Sequence, residues 1–190
     1  MRKLVQLFLL GLTLAGYPNP SFCGDGPVNP GSPGIGIFRF GAGAAIPFYG
    51  CNGSGAVAVD NYDQNIWQAG PGTISLGGQI GVSFFSRDYT TDNHLYKNRW
   101  SNVAVIARGA YHYGWGLPGF DTYAGIGAGP LLCMFDNDGY DNGRKSSHLT
   151  ILPAAFAGVT YFFNNIIGIN AECGYNLAYA SAGITFRITK

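Results

Sequence analysis

Residues 73–85 read TISLGGQIGVSFF. The even positions are Ile74, Leu76, Gly78, Ile80, Val82 and Phe84. The odd positions include Ser75, Gly77, Gln79, Gly81 and Ser83. One face is bulky and apolar, the other small and polar. A two-residue period of this kind marks a β-strand lying between two unlike environments.

The alternation recurs along the chain. Between Trp100 and Tyr113, the residues Val103, Val105, Ala107, Gly109, Tyr111 and Tyr113 share one face, and Asn102, Arg108 and His112 the other. In 166–175, Ile167, Ile169, Ala171, Cys173 and Tyr175 oppose Gly168, Asn170 and Glu172. In 178–188, Ala182, Ile184, Phe186 and Ile188 oppose Ser181, Thr185 and Arg187. In 35–48, Phe38, Phe40, Ala42, Ile46 and Phe48 are set against Arg39, Gly41 and Gly43. No long helical period appears.

Composition decides which face points outward. Only 11% of the 190 residues are charged, against about 25% in a soluble domain. The chain has a single glutamate, Glu172, and four lysines, Lys3, Lys97, Lys145 and Lys190. A water-facing polar side would carry Lys and Glu. Here it carries Gly, Ser, Thr, Asn and Gln, which suit a narrow barrel lumen filled by side chains. The bulky side then meets lipid. Tyr111, Tyr113, Tyr161, Phe163 and Tyr175 fall near strand ends, as interfacial aromatic girdles do. A mean hydropathy of +0.10 excludes a bundle of apolar membrane helices. A hydrophobic content of 47% argues against disorder. A net charge of +1 argues against nucleic acid as a partner.

Strands are expected at 34–48, 55–67, 73–85, 100–113, 120–135, 148–163, 166–175 and 177–189. The second is the weakest, because its alternation breaks around Asp60 to Asn65. Eight strands close as an all-β, antiparallel, up-and-down transmembrane barrel with both termini in the periplasm. The connections Gly70 to Gly72, Gly114 to Gly119 and Asn164-Asn165 are short turns. The stretches Ser86 to Arg99 and Phe135 to Ser147 are longer and charged, and read as extracellular loops. The connection near Tyr175 to Leu177 must be tight.

The N-terminus reads as an export signal over residues 1–16. Arg2 and Lys3 precede an apolar run, Leu4 to Gly16, too short to cross a bilayer as a helix. Residues 17–33 form a linker holding Pro18, Pro20, Pro27, Pro30 and Pro33. The barrel then occupies 34–190. Phe22 before Cys23 disfavours lipidation.

The runs WSN at 100–102, RGAYHY at 108–113, DTYAG at 121–125, YFFNNIIG at 161–168 and AECGY at 171–175 resemble the small outer-membrane β-barrel family common in Bacteroidetes-like bacteria. The similarity covers about 34–189. The closing GITFRI at 183–188 resembles the C-terminal signal read by the barrel assembly machinery, although this chain ends Thr189-Lys190 rather than on an aromatic residue. The resemblance implies a bacterial outer-membrane protein with a structural, adhesive or narrow porin-like role and no catalytic residues to carry over.

Arg39, Gln79, Arg108, Asn170, Glu172 and Arg187 share the polar phase. They are expected to form an inward network centred on Glu172 that fills the lumen and satisfies buried polar groups. Ion or small-anion filtering is the functional alternative. No enzyme is expected. His94, His112 and His148 show no ligand spacing, and adjacent Ser147 and His148 face opposite sides of a strand. A lipid-modifying barrel would need a Ser and a His within about 3 Å of each other, whereas a structural barrel predicts no triad. A soluble lipocalin-like binder is the other alternative. The acidic run Asp136 to Asp141 departs from the calcium-loop pattern, so neither metal nor cofactor is expected. Cys133 and Cys173 share a bulky phase and are expected as unpaired small hydrophobes. The expected partners are outer-membrane lipid and the assembly machinery, with the chain a monomer.

Overall fold

The computed structural model describes residues 32–48, 55–91, 94–138 and 145–188. Its strands, in chain order, are β1 Gly36–Ala45, β2 Gly55–Ala69, β3 Gly72–Thr91, β4 His94–Tyr113, β5 Phe120–Asp138, β6 Lys145–Phe162, β7 Ile167–Tyr175 and β8 Ala178–Ile188. Each runs antiparallel to the next, and β8 pairs back onto β1 to close an eight-stranded barrel. The expected signal, most of the linker, Cys23 and Cys51 lie outside the described residues.

Alternation in the sequence becomes alternation across the wall. Leu76, Ile80, Phe84, Ile126, Ile151 and Ile169 point outward, Ile126 being 73% exposed. Arg39, Arg108 and Glu172 are buried in the lumen. This inverts the surface of a soluble protein, whose charges face water and whose large aliphatic side chains are mostly inside.

Four features of the fold differ from the sequence-based expectation. First, the expected loop 86–99 is largely a hairpin, paired from Ser86↔Arg99 to Thr91↔His94. Likewise β5 runs on to Asp138 and β6 starts at Lys145. Polar and charged residues predominate in the sequence of these extensions with no two-residue contrast to mark them, and backbone pairing needs none.

Second, the alternation of β2 holds through Asp60 to Asn65 and breaks only beyond that stretch, at the register shift between Asn65 and Trp67. Val57, Val59, Asn61, Asp63 and Asn65 all point inward. The inner face itself changes from apolar to polar at Asn61, which disguises the period.

Third, Ile46 and Phe48 turn inward rather than joining Phe38 and Phe40 outside. The β1–β8 register shifts between Ala44 and Ala45, and such an irregularity moves the following side chains to the other face. They join Val57, Val59, Phe85, Ile106, Leu131, Leu152 and Leu177 in an apolar cluster. This cluster fills most of the half of the lumen away from the short turns, around the buried Ser83–Asn102 pair, and the ionic groups lie in the other half.

Fourth, Cys133 is buried in that cluster while Cys173 is exposed outside. The two therefore occupy opposite sides of the wall and do not share a phase.

Candidate functional site

The polar half of the lumen is the chemical centre of the molecule. Arg39 on β1 donates from one terminal nitrogen to Asp63 Oδ2 on β2 at 2.5 Å. Its Nε reaches Thr160 Oγ on β6 at 3.3 Å, and its second terminal nitrogen lies 4.0 Å from Asp121 on β5. Arg108 on β4 places Nε 3.2 Å from the other oxygen of Asp63. The far end of the same guanidinium donates to Glu172 Oε2 on β7 at 2.8 Å. Arg39–Asp63 joins the neighbouring strands β1 and β2, and Arg108 ties β4 to the non-adjacent β2 and β7.

Asp63 sits between two arginines, so each of its oxygens has a cation beside it. Aromatic faces complete the cage. The Arg39 guanidinium lies 4.1 Å from the Tyr123 ring centroid, and that of Arg108 lies 3.7 Å from Phe156. Burying ions in a narrow lumen is costly unless they are paired, and here Arg39 is paired with Asp63 and Arg108 with both Asp63 and Glu172.

The six residues singled out from the sequence are all buried. Arg108 contacts Glu172 and, at 3.4 Å, the Gln79 side-chain oxygen. Asn170 accepts from Thr185 Oγ at 3.1 Å. Arg187 is stacked 4.0 Å over Phe162 toward the short turns. The arginine that meets Glu172 is Arg108 across the lumen. Glu172 is one arm of the network, and Asp63 is the residue bound to both Arg39 and Arg108. Asp63 was missed because it falls in the segment of β2 where the sequence pattern is disguised. The usable signal was the polar series Asn61, Asp63 and Asn65 at a two-residue period.

A second group went unread. Ser75 Oγ on β3 lies 3.0 Å from His112 Nε2 on β4. His112 Nδ1 lies 2.8 Å from Asp121 Oδ2 on β5. Nδ1 carries the proton toward Asp121, because a carboxylate only accepts. The ring's Nε2 is within hydrogen-bond distance of the Ser75 hydroxyl, which also donates to the Ala110 carbonyl at 3.4 Å. This is the connectivity of a serine nucleophile, base and orienting acid, which the sequence reading did not expect in a structural barrel.

Ser75, His112 and Asp121 each have 0% exposure. The Tyr123 ring stacks on the imidazole at 5.4 Å. The chain of contacts links buried polar groups on three neighbouring strands.

The aromatic rims also take shape. Tyr111, Trp115, Tyr161 and Phe163 are exposed at the short-turn end, and Phe84, Tyr175 and Tyr179 toward the other. Trp115, in the β4–β5 turn, donates its indole N–H to Thr122 Oγ at 2.8 Å. No group of His, Cys, Asp or Glu among the described residues could hold a metal ion.

No protein-family model and no curated protein matches the chain. Solved structures do. Ail, the attachment invasion locus protein of Yersinia pestis, is 16% identical, with 83% of this chain and 100% of that one covered and a TM-score of 0.49. Neisserial surface protein A is 12% identical, with 83% and 97% covered and a TM-score of 0.45. The N-terminal β-barrel domain of Pseudomonas aeruginosa OprF is 16% identical, with 81% and 96% covered and a TM-score of 0.42.

Proposed function

We propose that the chain is an integral β-barrel protein of the bacterial outer membrane, with a structural or adhesive role and no enzymatic activity. One observation carries this reading: the closed barrel wears its large apolar side chains outside and its ion pairs inside. Only a hydrocarbon surrounding makes that arrangement favourable. The aromatic rims fit the two interfaces. Membership in the small outer-membrane barrel family of Bacteroidetes-like bacteria is supported by the sequence runs that resemble it. The β3–β4 hairpin continues past Phe85, the residue paired with the start of β2, and offers exposed Arg87 and Asp88 to the exterior. An adhesive contact would be made there.

The decisive experiment is gel migration of the membrane-extracted protein with and without boiling. The folded barrel should migrate differently from the boiled chain. Identical migration would remove the barrel reading.

The porin-like alternative has its own test. The lumen is closed by Ile35, Ile37 and Phe162 toward the short turns and by the apolar cluster around Leu177 on the other side. Protein in planar bilayers should therefore give no discrete conductance steps at neutral pH. Regular steps would restore the pore. For the enzyme alternative, a fluorophosphonate probe should leave the folded protein unlabelled at Ser75. Labelling lost in Ser75→Ala would show that the hydroxyl is reachable and reactive.

A further inference from the structure

A groove of about 530 Å³ indents the outer wall across β2, β3 and β4, at the end away from the short turns. Its size is that of a small-ligand site. Phe84, 58% exposed, forms its apolar side. Small residues stand directly across from that ring on both neighbouring strands, Ala56 on β2 and Ser101 on β4. At the same end, other strands carry the exposed bulk of Leu149, Ile151, Tyr175 and Tyr179. Beyond Phe84, Ser86 is paired with Arg99, and both side chains are exposed at the groove. Neither makes a side-chain hydrogen bond or ion pair among the described residues. Asp136, the other cross-strand neighbour of Arg99, lies on β5, on the side away from the groove.

Depth in the membrane gives these groups a meaning. Short turns are periplasmic in such barrels, so this end faces the outer leaflet. From Tyr111 at the short-turn rim to Arg99, β4 climbs about 30 Å, at about 3.3 Å per residue on a strand tilted by about 40°. The apolar band of such a barrel is about 25 Å tall. On the membrane reading given above, on which this inference rests, Phe84 and Ala56 sit near the upper edge of the hydrocarbon. Arg99 then stands about 5 Å beyond it, at headgroup depth. The floor of the groove suits an acyl chain. The guanidinium above it, with its N–H donors unused, suits a phosphate, which it can hold by two charge-assisted bonds.

We propose that this groove binds a phosphorylated lipid of the outer leaflet. One acyl chain lies against Phe84 and Ala56, and the phosphate accepts from Arg99 and from the Ser86 hydroxyl.

The test is native mass spectrometry of the full chain in detergent micelles with three related probes. They are phosphatidic acid, diacylglycerol with the same chains, and glycerol 3-phosphate. One phosphatidic acid should stay bound per barrel, and diacylglycerol should bind about tenfold more weakly. Glycerol 3-phosphate should neither bind nor displace the lipid. Arg99→Gln should cut phosphatidic acid binding about tenfold and leave diacylglycerol binding unchanged. Arg87→Gln removes the same charge from the hairpin outside the groove and should leave both lipids bound as in the parent. Ala56→Trp, which fills the floor, should weaken both. Each variant's boiled and unboiled migration reports its folding separately. A folded barrel that retains no phosphatidic acid, or holds it no better than diacylglycerol, would overturn the site. So would an equal loss in Arg87→Gln, which would mean diffuse surface charge. Displacement by glycerol 3-phosphate would overturn it in favour of a soluble phosphate ligand. Absence of a heat-modifiable band in the parent would instead remove the membrane reading itself.

Discussion

Asp63→Leu should lower the unfolding free energy of the barrel in detergent micelles by about 3–5 kcal/mol, the range for removing one partner of a buried ion pair. The expected loss is large because Asp63 serves two cations. Arg39 is 2.5 Å from one oxygen and Arg108 is 3.2 Å from the other. Without Asp63, the nearest remaining carboxylate for Arg39 is Asp121 at 4.0 Å, itself engaged with His112. Arg39 has 0% exposure, so water does not replace the lost partner. Glu172→Leu should cost less, about 1–3 kcal/mol, because Arg108 keeps Asp63 and Asn176 loses only a 3.1 Å bond to Glu172. Urea midpoints of the two variants and the parent decide the matter. If Asp63→Leu leaves the midpoint in place, or if Glu172→Leu proves the more damaging, Asp63 does not anchor the network.

That ranking also shows where the sequence could be read and where it could not. Strands such as β3 and β7 were legible because their two faces differ in kind at every step. Ile167, Ile169 and Ala171 against Gly168, Asn170 and Glu172 leave no choice of phase. The interior of β2 was hidden because a lumen is not one environment. It is apolar beside Val57 and Val59 and ionic beside Asp63. A pattern search that expects one polar face reads that change as a break. Arg39 and Arg108 were assignable to the lumen because a guanidinium on the other face would meet lipid. Their partners were not, since ion pairs across a barrel join residues whose separation in the chain carries no signal. Arg108 and Glu172 are 64 positions apart. Ser75, His112 and Asp121 illustrate the same point. Each lies on an assigned strand, yet only the stagger of β3, β4 and β5 puts them in line.

Gly183→Val should prevent stable closure, because the seam between β1 and β8 leaves no volume for a side chain there. A Cβ on Gly183 would meet the Phe40 carbonyl oxygen at 1.8 Å and the Gly41 Cα at 2.6 Å. Both are backbone atoms, which cannot rotate away as a flexible side chain would. Gly43, across the same seam, is equally confined, with the Ala180 carbonyl oxygen at 1.9 Å from its added Cβ. Relief would require β1 and β8 to separate, and these strands are the only pair that joins the two ends of the sheet. The penalty is therefore about 3 kcal/mol or more, and it falls on the step that removes the last free edges. Gly41→Ala supplies the comparison, since its added Cβ meets its nearest atom, the Ala182 carbonyl oxygen, at 3.3 Å. That contact can be relieved by a shift of a few tenths of an ångström. After refolding into micelles, Gly41→Ala should retain the heat-modifiable band of the parent, and Gly183→Val should lose most of it. A Gly183→Val protein with the parent's band and midpoint would mean that the seam is looser than this packing, and that closure does not depend on backbone contact at Gly183.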